Sequence, residues 1–293
     1  MLVANSNMTG GGRFSGIEGL RLLCMLMVLN LHGFSGYTHG EGIWQALDFF
    51  RESTSICAVD CFLIISGYFG IRWKFKSFFN LVFQIFFYSI GIYVFAVLLG
   101  ITELSRQGLL ERLECLYNNS WEFVTGYVIL YFLSPILNTF ADKVTTRELL
   151  WYILVMLVAT NLICLSDKSN LVFTYMTVYL TGRLLKKIDI VNAKLHASVC
   201  YWVVTTLIFI SVYVMFKGLG VTSPSKLPVG VVGFAYSAPL VIIQATFLFS
   251  IFARMTFSSK AINWSAKSAF AIFLIHMHPS IKMYYYNYAK ETL

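Results

Sequence analysis

Charge is what this chain has least of. Only 12% of its 293 residues are Asp, Glu, Lys or Arg, about half the share of an ordinary soluble domain. Acid is the scarcer sign, with 14 Asp and Glu against 22 Lys and Arg. Hydrophobic residues supply 58% of the chain and mean hydropathy is +0.71, which excludes a water-soluble globule. Proline is rare, with five in all, and no internal repeat is visible, so the paired broken helices of many transporters are not in evidence. There is no glycine-rich nucleotide loop and no low-complexity tract. The six cysteines stand at positions 24, 57, 61, 115, 164 and 200. Only Cys57 and Cys61 are close, at helical i, i+4 spacing, and a zinc site needs more ligands more tightly grouped. The first twelve residues lack the basic segment of a cleavable leader, so the apolar stretch after them reads as a retained span.

What is present instead is long apolar sequence. Residues 78–99 and 229–253 carry no charge, and each run is long enough to cross about 30 Å of hydrocarbon as a helix. Nine candidate spans are read at 17–36, 53–71, 78–99, 123–141, 149–165, 171–184, 197–216, 229–253 and 262–282. The sixth is expected to stop short, before Arg183. With the N-terminus inside, thirteen basic residues fall in inner segments, from Arg13 through Arg72, Lys74 and Lys76 to Lys267, and eight in outer ones. Excess positive charge on the cytoplasmic side favours that orientation. The prediction is an all-α polytopic protein of the cytoplasmic (inner) membrane, a bundle of about nine to ten transmembrane helices with no loop long enough for a second domain. The net charge of +8 does not imply a nucleic-acid partner, because the cations sit in short loops rather than in a basic patch with interleaved stacking aromatics. The run YYYNY at 284–288 suits an interfacial aromatic belt.

Polar residues inside apolar spans are costly and mark function. Arg21 and His32 lie eleven positions apart in the first span, and eleven steps of about 100° return a helical side chain to within roughly 20° of its starting direction. They share one face, separated by roughly 16 Å along the axis. A planar cation suits phosphate groups, and an imidazole acts as a base near neutral pH. Glu18, one turn before Arg21, is expected to neutralise it. Asp60 in the second span falls at a depth near that of His32 and is a candidate to orient the imidazole, in the logic of a base held by a third group; a structural ion pair or helix cap is the alternative. In FLIHMHP, His276 and His278 are two residues apart and point in different directions on a helix, which argues against a shared metal. His276 is expected to line a cavity and His278, beside Pro279, to lie at the interface. Gln84, Gln244 and Asn161 are candidates for contact with a sugar or for hydrogen bonds between helices.

Four ordered stretches give the chain a family likeness. They are Arg21-(ten residues)-His32 after IEGLR; AVDCFLIISGYF, through Val59, Asp60, Phe62, Ser66 and Gly67; WEFVTGYVILYFLSPIL, through Trp121, Phe123, Tyr127, Tyr131 and Pro135; and FLIH, ending at His276. The set resembles membrane-bound acyltransferase family 3, whose members include polysaccharide O-acetyltransferases. The resemblance implies one transmembrane acyltransferase domain over residues 1–293, about ten helices, and transfer of an acyl group, usually acetyl, to a carbohydrate hydroxyl. The donor is cytoplasmic acetyl-CoA or another acyl-CoA, with no metal. The helix that follows FLIH in the family is expected to be lacking, and Glu18 and Glu122 depart from the usual residues. On this reading His32 and Asp60 are catalytic, with His32 either deprotonating the acceptor hydroxyl or transiently carrying the acyl group, Arg21, Arg72 and Lys74 hold the donor, and His276 and Tyr127 contact substrate. The acceptor is a surface polysaccharide or a lipid-linked glycan. The competing reading is a transporter or flippase in which Arg21, Asp60 and His32 relay protons.

Overall fold

The computed structural model of the chain describes residues 15–34, 42–116, 121–162, 167–219 and 234–292. Arg13, Cys164 and Lys226 lie outside the described residues, as do positions 35–36, 163–165 and 229–233 of the expected spans. Among the described residues there is helix and no strand: the protein is an all-α polytopic membrane protein. Its elements are α1 Gly16–Phe34, α2 Ile43–Ser55, α3 Ala58–Phe69, α4 Phe75–Leu98, α5 Arg106–Leu113, α6 Glu122–Lys143, α7 Thr146–Leu162, α8 Asp167–Lys187, α9 Ala197–Leu219, α10 Pro239–Ala253, α11 Lys260–Ser265, α12 Ala269–His276 and α13 Lys282–Thr292. Within α1, α4, α6 and α9 lie segments long and apolar enough to cross a membrane unaided. The others are shorter or more polar and depend on their neighbours.

The clearest case is α3. Its 12 residues reach only about 18 Å, well short of a bilayer core. It is sheathed by α1, α8 and α10 instead, and Ala58 to Ile65 are buried apart from Phe62. Its closest partner is α8, and two glycines make that approach possible. A Cβ on Gly67 would collide with the carbonyl of Tyr179 and stand 3.1 Å from the Cα of Gly182. A Cβ on Gly182 would strike the Ile64 carbonyl. Small residues that let two backbones touch are the usual means of joining helices where lipid removes the hydrophobic drive.

Several expectations from sequence are corrected. The span at 53–71 is not one helix: Ser53 Oγ and Thr54 Oγ1 donate to the carbonyls of Phe49 and Arg51, hydroxyl competition that ends α2 before α3 begins. The sixth span does not stop at Arg183. α8 runs on to Lys187 because Arg183 pairs with Asp142 and Lys187 donates to the carbonyls of Ala141 and Val144, so the cations meet the end of α6. The eighth begins at Pro239, whose missing N–H and fixed φ suit a first helical position. The ninth breaks into α11, a 3-10 turn at Ala266–Ser268, and α12, then turns at Pro279. The YYYNY run belongs to α13, packed on α1: Tyr284 and Tyr288 are exposed, while Tyr285 turns inward and its Oη donates to the Leu29 carbonyl at 2.6 Å. His278 is not interfacial: it is fully buried, and its Nε2 donates to the Ser89 carbonyl at 2.9 Å.

Other polar residues in the spans do tie helices together. Gln244 Nε2 donates to the Ser53 carbonyl and to Thr205 Oγ1, and Asn161 Nδ2 to the Ser237 carbonyl. At the exposed start of α7, Thr145 and Glu148 form a reciprocal capping box. The bond from the Thr145 backbone N–H holds the Glu148 carboxyl below the usual carboxylate range.

Candidate functional site

Arg21, Met25, Val28 and His32 succeed one another at helical spacing along one stripe of α1. The first three line a cavity of about 470 Å³ bounded by α1, α3, α4, α6, α12 and the segment joining α3 to α4. Arg21, Arg72, Lys74 and Lys76 put four cations around it, while Val59, Phe62, Phe123 and Phe273 give it apolar and aromatic walls. Arg21 donates to Glu18 Oε1 at 2.8 Å, so the expected neutralisation is there, and the guanidinium still faces the cavity.

The basic rim is held in place. α3 ends at Gly70, whose φ of +74° turns the chain sharply where a side chain is disfavoured. Beyond it Ile71 N–H donates to Tyr179 Oη at 2.9 Å, Tyr179 Oη donates to Asn138 Oδ1 at 2.7 Å, and Asn138 Nδ2 donates back to the Ile71 carbonyl at 2.8 Å. Tyr131 Oη accepts from Lys74 N–H at 3.3 Å and donates to the Lys74 carbonyl at 3.2 Å. The backbone carrying Arg72 and Lys74 is therefore clamped from α6 and α8 while their side chains remain exposed. Sequence reasoning missed Asn138 and Tyr179, which carry no local signal. Tyr131 had one, its place in the third motif, but no role.

Tyr127 and Ser66 also line the cavity and touch each other. Ser66 Oγ donates to the Phe62 carbonyl at 2.9 Å, which leaves it to accept from Tyr127 Oη at 3.2 Å. The cavity ends on α1 at Val28, one turn before His32, and on α12 at Phe273, whose ring stands edge-on to His276 at 5.5 Å. Beyond these residues the two histidines meet: His32 Nδ1 lies 2.9 Å from His276 Nε2. His276 Nδ1 in turn lies 2.9 Å from the Ile272 carbonyl.

Of the residues expected to act together, Arg21, Arg72, Lys74 and Tyr127 share the cavity; His32 and His276 pair beyond Val28 and Phe273, so His276 does not line this cavity as expected, because the Phe273 side chain stands between. Asp60 joins neither group. It is fully buried in the first turn of α3, neither carboxylate oxygen has a hydrogen-bond partner, and the ring nitrogen it was expected to orient is taken by His276. It stands in the first turn of the helix, where a carboxylate meets the positive end of the helix dipole. Among the described residues no group of three His, Cys, Asp or Glu side chains is placed to hold a metal.

A family model with the description Acyltransferase domain matches residues 14–291. No match was found among curated proteins or among solved structures.

Proposed function

The chain belongs to membrane-bound acyltransferase family 3, whose model spans almost its whole length, and from that premise we propose that it moves an acyl group, acetyl in the commonest case, from acyl-CoA to a hydroxyl of a carbohydrate acceptor. One observation carries this reading: a cavity with four cations at its rim and apolar walls that runs along α1 toward His32.

The parts divide by chemistry. Phosphate groups of the donor meet Arg21, Arg72 and Lys74, where guanidinium groups form paired charge-assisted hydrogen bonds. The flexible, weakly polar donor arm lies along Met25, Val28 and Phe273, and Tyr127 supplies a hydroxyl to its amides. The thioester then reaches His32, about 16 Å along the helix from Arg21. His32 removes the proton of the acceptor hydroxyl, the oxygen forms a bond to the thioester carbon, and the carbon–sulfur bond breaks. The proton passes from His32 to the departing sulfur, so the ring ends as it began. The donor enters from the cytosol, because the rim cations belong to the segments that the charge asymmetry assigns to the inside. The acceptor is a surface polysaccharide or a lipid-linked glycan, met at the outer half of the cytoplasmic membrane.

The test uses membrane vesicles supplied with radiolabelled acetyl-CoA. His32→Ala is expected to abolish label transfer while the protein stays at its normal abundance in the membrane and still binds coenzyme A. Undiminished transfer in that variant removes His32 from the mechanism. Flux of a solute without donor turnover in the wild type points to a transporter instead.

A further inference from the structure

A base must present a bare ring nitrogen toward its substrate, and in this protein the neighbouring helix decides which nitrogen that is. A carbonyl oxygen only accepts hydrogen bonds. The 2.9 Å contact between His276 Nδ1 and the Ile272 carbonyl therefore fixes the proton of neutral His276 on Nδ1. A neutral imidazole has one N–H, so His276 Nε2 carries a lone pair, and that lone pair faces His32 Nδ1 at 2.9 Å. His32 must then hold its own proton on Nδ1. Its Nε2 is left bare.

The ring geometry agrees. The two planes are 25° apart and the centroids 5.2 Å, the separation expected when the N···N line runs through both rings close to their own planes. That is where the lone pair and the N–H bond lie. His276 cannot swing away from this arrangement. It is only 6% exposed, with Phe273 against one edge and Tyr285 against another at 5.9 Å and 82°. Tyr285 is itself anchored to α1 through the Leu29 carbonyl, three residues before His32.

We infer that His276 is the positioning residue for His32: its backbone-fixed tautomer dictates that of His32 and supplies the acceptor that a carboxylate supplies in better-known triads. The inference rests on His32 being the base of the proposed reaction. When His32 Nε2 gains the hydroxyl proton, the proton on its Nδ1 moves along the 2.9 Å bond onto His276 Nε2, so one positive charge is shared by two rings. When the thiolate leaves, His32 Nε2–H gives its proton to sulfur and His276 Nε2–H returns its proton to His32 Nδ1. Two rings that are neutral at the start are neutral at the end. No buried anion is needed, and Asp60 makes no hydrogen bond to either ring.

Two substitutions separate positioning from packing. His276→Leu fills the space without an acceptor, whereas His276→Gln carries an amide oxygen to about the same place. The expected result for Leu is a fall in kcat of about 100-fold or more, toward the roughly 10⁴-fold loss of a histidine base left in the wrong tautomer, with the KM for acetyl-CoA within about threefold. Gln supplies the acceptor but cannot take the proton, and it is expected to recover at least about tenfold of the kcat lost in Leu. Near-normal kcat in the Leu variant overturns the inference, as does a Gln variant as slow as Leu. A second readout does not depend on turnover. ¹⁵N NMR of histidine-labelled protein in lipid reports the tautomer, and His32 is expected to be protonated on Nδ1 and bare on Nε2, an ordering lost in His276→Leu. A wild-type His32 protonated on Nε2 overturns the inference. The expected tautomer without any acetyl-CoA turnover strikes the acyltransferase reading and leaves the histidine pairing standing.

Discussion

Replacing Gly67 by Ala tests whether the contact of α3 with α8 builds the proposed donor site. The added methyl group would meet the Tyr179 carbonyl oxygen, with the carbonyl carbon at 2.9 Å and the Cα of Gly182 at 3.1 Å. These are backbone atoms, so no rotamer change relieves the clash, and the helices must part by roughly 1 Å in an interior packed like a crystal. Overpacking of this kind costs roughly 1–3 kcal/mol, and rigid backbone on both sides puts Gly67 at the upper end. Tyr179 also carries the hydroxyl that clamps Ile71, so displacement strains bonds that contribute about 1 kcal/mol each. A loss near 3 kcal/mol lowers the melting midpoint, followed by tryptophan fluorescence in lipid nanodiscs, by roughly 5–10 °C. The KM for acetyl-CoA is expected to rise in the same variant, because the clamp fixes the backbone of Arg72 and Lys74. Gly67→Ala and Gly182→Ala together should lose less than the sum of the two, since either one already parts the pair. Gly91, with nothing within 4 Å of its hypothetical Cβ, is the control, and Gly91→Ala should leave the midpoint unchanged or raise it. A Gly67→Ala protein that melts within about 1 °C of wild type and binds donor normally would refute the reasoning.

Arg72→Ala and Lys74→Ala are each expected to raise the KM for acetyl-CoA about tenfold with kcat little changed, the mark of lost ground-state binding; steady-state kinetics at low salt checks this, and a fall in kcat alone contradicts it. His278→Phe removes the Nε2–H that bonds the Ser89 carbonyl and the Nδ1 that accepts from the Ser280 N–H, and should cost about 2 kcal/mol of stability while leaving kcat intact. Loss of turnover at normal stability would place His278 in the chemistry. Asp60→Asn keeps the shape of a side chain that bonds to nothing in this structure, so acyl transfer within about threefold of wild type is expected; inactivation without unfolding would return Asp60 to the catalytic group.

Membrane residence, helical content and the shared face of Arg21 and His32 were legible from sequence because they depend on composition and on the 3.6-residue period alone. The basic linker at Arg72 and Lys74 was legible for the same reason, as a charged interruption between apolar runs. Helix limits were less so. The hydroxyls that end α2 and the cations that prolong α8 act through bonds with local or distant carbonyls, and hydropathy is blind to both.

Partnership was decided by tertiary structure. Periodicity states how side chains are spaced around one axis, not how two axes are rotated about each other. His32 and His276 are separated by 244 positions in the chain, and the sequence pointed to Asp60, at a similar expected depth, as the partner. The crossing of α3 on α8, set by glycine backbones in contact, buries Asp60 away from the ring. The packing of α12 and α13 on α1 delivers His276 to it. From the sequence comes a cation and an imidazole on one stripe; only the packed helices choose the group that holds the imidazole and pin the basic rim beside the cavity, because both depend on contacts between segments remote in the chain.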